Sequence, residues 1–134
     1  MSPKMYRSIA CAGTILALSL AGTTHAAQRT TNDGVFTAEQ AAKGAEVHAD
    51  HCARCHHQTY YEGGFLDAWY GAPMSMLYEI IRMKMPEDRP GALKPREYTA
   101  LLAWVLERNG YPAGSEPLGA AVTDLEAVTI TRPE

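Results

Sequence analysis

Apolar positions in this chain recur at helical rather than strand spacing, and three stretches carry the pattern. The first opens at Thr37, where Gln40 three residues later completes the form of a capping box, and continues through Ala41, Gly44, Ala45, His48 and Cys52 on one face. The second opens near Pro73, a residue suited to a helix's first turn, and runs through Leu77, Ile80, Ile81 and Lys84 until Pro86 stops it. The third opens at Pro95, carries Tyr98, Leu101, Leu102, Trp104 and Val105, and ends at Gly110 in the place of a left-handed cap. Between them lie a polar and aromatic loop from His57 to Gly64, a short helical turn over Phe65 to Tyr70, and an irregular loop from Glu87 to Leu93. The nine residues from Ala27 to Val35 lack periodicity and read as a flexible lead-in. Tyr111 to Glu134 reads as an extended tail that lies over the domain without regular structure, with Leu118, Leu125, Val128 and Ile130 as scattered anchors. No repeat and no strand pattern is present, so the fold class is all-α with three main helices.

Two positions in this pattern ask for a physical reason. Gly44 sits inside the first helix, where glycine costs about 1 kcal/mol relative to alanine, and a close crossing with another helix is the compensation. Trp69 is the largest apolar residue of its turn; it either lines a pocket or fills the core.

The start of the chain is organised differently. Lys4 and Arg7 precede an apolar run from Ile9 to Leu20, and Thr24-His25-Ala26 ends in a small residue. Residues 1–26 therefore read as a cleaved export signal, with an apolar run too short to remain as a membrane span. Cys11 belongs to that segment. Removal leaves Cys52 and Cys55 as the thiols of the mature chain and a location in the periplasm.

Those two thiols stand in Cys52-Ala53-Arg54-Cys55-His56, a Cys-x-x-Cys-His run. Two thiols three positions apart in one turn can form thioethers along one edge of a haem, and the His that follows reaches the proximal side of the iron. A zinc knuckle lacks a separate second ligand pair, because His48, His51, His56 and His57 crowd the same segment. A thioredoxin-like pair lacks its strand context, and a disulfide framework is excluded because the motif uses both mature thiols. The motif thus implies one covalent haem c, which would supply apolar surface that three modest helices lack.

Charge narrows the partners. With Lys4 and Arg7 gone from the 12 basic residues, 15 acidic residues leave the mature chain at −5. That balance disfavours nucleic acid and suits a basic protein surface.

On these residues the chain resembles the class I monohaem c-type cytochromes over nearly all of Phe36 to Gly114. Gly44 stands where that family's first helix meets an aromatic of the last, with Trp104 and Leu101 in the facing position. Met85-Pro86, Pro90-Gly91-Ala92-Leu93 and Glu97-Tyr98 follow the order of its distal-methionine loop and last helix. Asn109-Gly110-Tyr111-Pro112-Ala113-Gly114 is similar to cytochromes serving periplasmic dehydrogenases, including quinone-cofactor alcohol dehydrogenases. The chain departs from the family at His48, where an aromatic is general, and at His57, where Gly is common. No Pro lies between His56 and Ala72 to offer the carbonyl that ordinarily accepts from the axial His.

The resemblance implies a cytochrome c domain over 27–112 and a tail over 113–134, with Cys52 and Cys55 as thioether attachments and His56 and Met85 as axial iron ligands. Met83 is the alternative to Met85, while Met74 and Met76 fit core positions. With both axial positions filled, the expected role is a one-electron carrier rather than an enzyme, passing electrons from a periplasmic dehydrogenase toward a terminal acceptor. The alternatives are a cytochrome subunit held permanently in a dehydrogenase, with the tail as docking arm, and a haem enzyme such as a peroxidase. Glu62, Asp67, Glu87 and Asp88 are candidates for orienting partners. No nucleic acid and no stable membrane insertion after signal cleavage are expected.

Overall fold

A computed structural model describes residues 28–134, so the export signal expected at 1–26 lies outside the described residues. The described chain is mostly helical, in agreement with the all-α class. Helix α1 spans Ala38–His51, α2 spans Met74–Lys84 and α3 spans Pro95–Arg108. Among the described residues no helix is long and apolar enough to cross a membrane.

The pairing of α1 with α3 is the most extensive in the domain. Gly44 makes it possible: a Cβ there would overlap the Ala100 carbonyl and come within 2.6 Å of Trp104 Cβ. Ala100 and Trp104, rather than Leu101, therefore form the facing surface, and Leu101 turns toward a cavity described below. From Tyr98 to Leu106 every residue of α3 is buried, so this helix is the spine of the core. Pro95 occupies its first turn, where a missing N–H costs nothing, and the Glu97 carboxylate accepts from Lys94 N at 2.6 Å. At the other end Gly110, with φ of +85°, lets Tyr111 N reach Leu106 O and Gly110 N reach Glu107 O, a Schellman closure.

Three details depart from the sequence expectations. Thr37 caps α1 by accepting from Gln40 N at 3.1 Å, but the Gln40 side chain does not return to Thr37. It pairs instead with the backbone of Leu118 on both sides, Gln40 Nε2 to Leu118 O at 2.9 Å and Leu118 N to Gln40 Oε1 at 2.7 Å. The pair of hydrogen bonds offers the carboxamide more than the single amide of a capping box.

The irregular tail and the flexible lead-in are corrected together. Arg29–Thr30 forms β1 and Val128–Thr129 forms β2, paired in parallel with Arg29 opposite Val128. A short helix α4, Val122–Glu126, precedes β2 and packs on α2. Leu118, Leu125, Val128 and Ile130 are all buried, and Ile130 exchanges hydrogen bonds with Gly71 and Ala72. The two ends of the described chain thus order each other, which neither can do alone because each strand has only two residues.

The region after the motif is more regular than a loop. Gln58–Tyr61 and Gly63–Trp69 are 3₁₀ runs. His57 caps the first of them, accepting from Thr59 N through Nδ1 at 3.4 Å, a task that glycine at this position would leave undone.

Candidate functional site

Helix α1 ends at His51, and Cys52, with φ −122° and ψ −34°, leaves the helical path. The next residues fold into one tight turn: Cys52 N and Ala53 N both donate to His48 O, and Cys55 N and His56 N both donate to Cys52 O, at 2.8 to 3.0 Å. A short hydrogen-bonded turn thus carries both thiols and the His56 imidazole to one cavity of about 590 Å³. That volume lies in the range of pockets that enclose a whole small-molecule cofactor. Cys52 is half-buried and Cys55 exposed, so the two thiols enter the cavity from different depths.

A second wall comes from α2 and its exit. Leu77, Ile80 and Ile81 give an apolar surface, and Met85 follows them into the cavity lining. Pro86 is the reason Met85 is there: the residue before proline avoids the helical region, and Met85 stands at φ −128°, ψ 149°. The Tyr98 hydroxyl of α3 donates to Met85 O at 2.8 Å and fixes the exit. Among the described residues Met85 is the methionine that lines this cavity. Met83 is 58% exposed; Met74 is fully buried in the core as expected, but Met76, expected there too, is 54% exposed. Trp69 is only partly buried: it lines the cavity and packs against the edge of the core.

Behind the motif lies an aromatic support that periodicity did not reveal. The His48 ring stacks on Trp104 with centroids 4.5 Å apart and planes at 25°, and its Nε2 lies 2.9 Å from the His56 carbonyl oxygen. A carbonyl can only accept, so His48 Nε2 carries the proton and donates. His48 therefore keeps the aromatic character of its position and adds a donor to the motif's backbone. Tyr61, also buried, meets His48 edge-on and lines the cavity. Asn109 Nδ2 donates to Tyr61 O at 2.6 Å, and Arg108 pairs with Glu62, so the end of α3 clamps the 3₁₀ segment. Glu62 thereby takes part in the support. Asp88 meets Arg54 at 3.9 Å and Arg89 at 3.7 Å, both exposed pairs worth little.

Burial pushes the Cys52 thiol above its ordinary range, with the Tyr61 hydroxyl acting in the opposite direction. Burial likewise pushes the Tyr61 phenol well above the usual tyrosine range, so it remains a neutral donor beside that sulfur. Among the described residues no three His, Cys, Asp or Glu side chains gather to grip a bare metal ion. The donors along the cavity are instead the thiols of Cys52 and Cys55, the imidazoles of His51 and His56 and the thioether of Met85, set in a largely apolar lining. Such a set fits an iron macrocycle that brings its own equatorial ligands, since the protein then need supply only attachment and axial groups.

Compared with family models, with curated proteins and with solved structures, the chain finds no match.

Proposed function

We propose that this chain is a haem-bearing electron-transfer protein of the class I c-type cytochrome kind, exported to the periplasm and passing single electrons from a dehydrogenase toward a terminal acceptor. The observation that carries the reading is the convergence of Cys52, Cys55, His56 and Met85 on one apolar-walled cavity while Met83 stays outside it. Cys52 and Cys55 would hold the group covalently, and His56 and Met85 would occupy the axial positions. When bound, haem supplies a one-electron couple, whose potential is raised by His/Met ligation relative to more strongly donating ligand pairs.

The protein's own residues supply position and exclusion. His48 and the turn's backbone bonds hold the proximal segment, and Tyr98 holds the exit on which Met85 sits. Leu77, Ile80, Ile81 and Leu101 would give the bound group an apolar wall. With Met85 holding the group as well as His56, no place would remain for a substrate at the iron, which favours a carrier over a peroxidase.

The test is a pair of absorption spectra of the oxidised holoprotein. Met85→Ala should lose the long-wavelength sulfur-to-iron band and accept external ligands, while Met83→Ala keeps the band. A band that survives in Met85→Ala and vanishes in Met83→Ala would assign the ligand to Met83.

A further inference from the structure

An axial histidine meets iron through one ring nitrogen, and in most metal sites the other ring N–H donates to a carbonyl, carboxylate or water that fixes the ring's plane. Among the described residues His56 has no such arrangement. Among the described residues its backbone carbonyl accepts from His48, but neither ring nitrogen has a hydrogen-bond partner. Something else must set the plane of the ring, because a free imidazole would turn about its side-chain bonds.

The neighbours of the ring are aromatic. Tyr60 lies against His56 with centroids 4.7 Å apart and planes inclined at 32°, close to an offset stack. Tyr61 meets the same ring nearer to edge-on, at 6.1 Å and 67°. The two tyrosines are perpendicular to each other at 5.2 Å, and Phe65 touches both, at 5.6 Å and 5.3 Å. Tyr61 is itself held by Asn109, and the run bearing both tyrosines is started by the His57 cap. The bracket is therefore rigid at its base. Tyr60 is 56% exposed and lines the cavity, so its ring can be replaced without disturbing the buried core.

We propose that Tyr60 is a positioning residue for the His56 imidazole: its ring face, braced by Tyr61 and Phe65, sets the plane of that ligand in place of a hydrogen-bond acceptor. The inference rests on the haem reading above. Stacking restrains tilt and rotation without drawing on the ring N–H, so it fixes orientation without a hydrogen-bond acceptor. A hydrogen-bonded imidazole gives more electron density to its metal.

The experiment compares wild-type holoprotein with Tyr60→Phe, Tyr60→Leu and Tyr60→Ala. The readout is the proton NMR spectrum of the ferric state, where the order and spread of the haem methyl resonances follow the plane of the axial imidazole. Tyr60→Phe should keep the wild-type order and spread, because the ring face remains. Tyr60→Leu and Tyr60→Ala should both change them and shift the midpoint potential in one common direction. Should Tyr60→Ala not accumulate, the leucine variant decides alone, since it preserves bulk and lacks only the aromatic face. A haem-loaded Tyr60→Leu with wild-type resonances would overturn the role of Tyr60 and leave the haem reading intact. A wild-type chain that takes up no haem would overturn both.

Discussion

His48 Nε2 sits 2.9 Å from the carbonyl oxygen of His56, joining the last full turn of α1 to the residue that ends the Cys-x-x-Cys-His motif. The same ring stacks on Trp104, so one side chain ties the motif both to its own helix and to α3. Its two functions can be separated by substitution. His48→Phe keeps the stack and loses the donor, and should cost about 1 kcal/mol of stability. His48→Ala loses both and should cost about 2 to 3 kcal/mol. Denaturant unfolding of the holoprotein checks this; equal losses in the two variants would remove the stack from the account.

Gly44→Ala offers a test in which local and tertiary effects oppose each other. Helix propensity alone favours alanine by about 1 kcal/mol. The overlap of the new Cβ with Ala100 and Trp104 should reverse that sign and destabilise by about 1 to 3 kcal/mol net. A stabilised Gly44→Ala would mean that α1 and α3 are not in this close crossing.

The reciprocal pair between Gln40 and Leu118 predicts a local effect. Gln40→Ala removes two hydrogen bonds that hold the start of the tail, at a cost of about 1 to 2 kcal/mol. Limited proteolysis should then cut between Ser115 and Ala121 faster than in wild type, with the helices protected. Unchanged protease sensitivity would show that Leu118 stays in place by burial alone.

Tyr111 links the tail to alkaline stability. Burial pushes its phenol from an ordinary 10.0 up to about 12, and its hydroxyl donates to the Thr131 carbonyl. The unfolded chain therefore loses this proton at lower pH than the folded one, so stability is full below about 10 and falls as pH rises toward about 12. Tyr111→Phe should flatten part of that decline, the remainder coming from Tyr61 and Tyr78, which burial also raises. An unaltered slope in the variant would contradict the assignment.

The helices were legible because their signals are local. Pro73, Pro86, Pro95 and Gly110 mark boundaries through backbone constraints that act within one or two residues, and the apolar stripes repeat inside each helix. The ordered tail was not legible, because its anchors have no period and their partners lie far along the chain. Thr31 and Thr131, joined through Thr131 N at 3.1 Å, are 100 residues apart. Gln40 misled for a related reason: its spacing from Thr37 matches a capping box, but spacing says nothing of a distant backbone that offers two bonds.

At the site, the sequence pointed to the residues that the cavity brings together. Cys52, Cys55, His56 and Met85 carry their own chemical signatures, and all four line it. The support was harder to read. His48 was visible as a departure from an aromatic position, but its bond to His56 depends on how the motif turns back on α1. Tyr60, Tyr61 and Asn109 gave only a cluster of aromatics and a helix end. Their contacts arise where the 3₁₀ run folds against α3, and no periodicity encodes that meeting.

Intact-mass measurement of the protein exported from cells competent to attach haem decides whether Cys52 and Cys55 carry the group. The mature chain should be heavier by one haem, with neither Cys52 nor Cys55 open to thiol alkylation, and a Cys52→Ala/Cys55→Ala variant should carry no added mass. A wild-type chain at the bare polypeptide mass, with both thiols free to alkylate, would contradict that attachment.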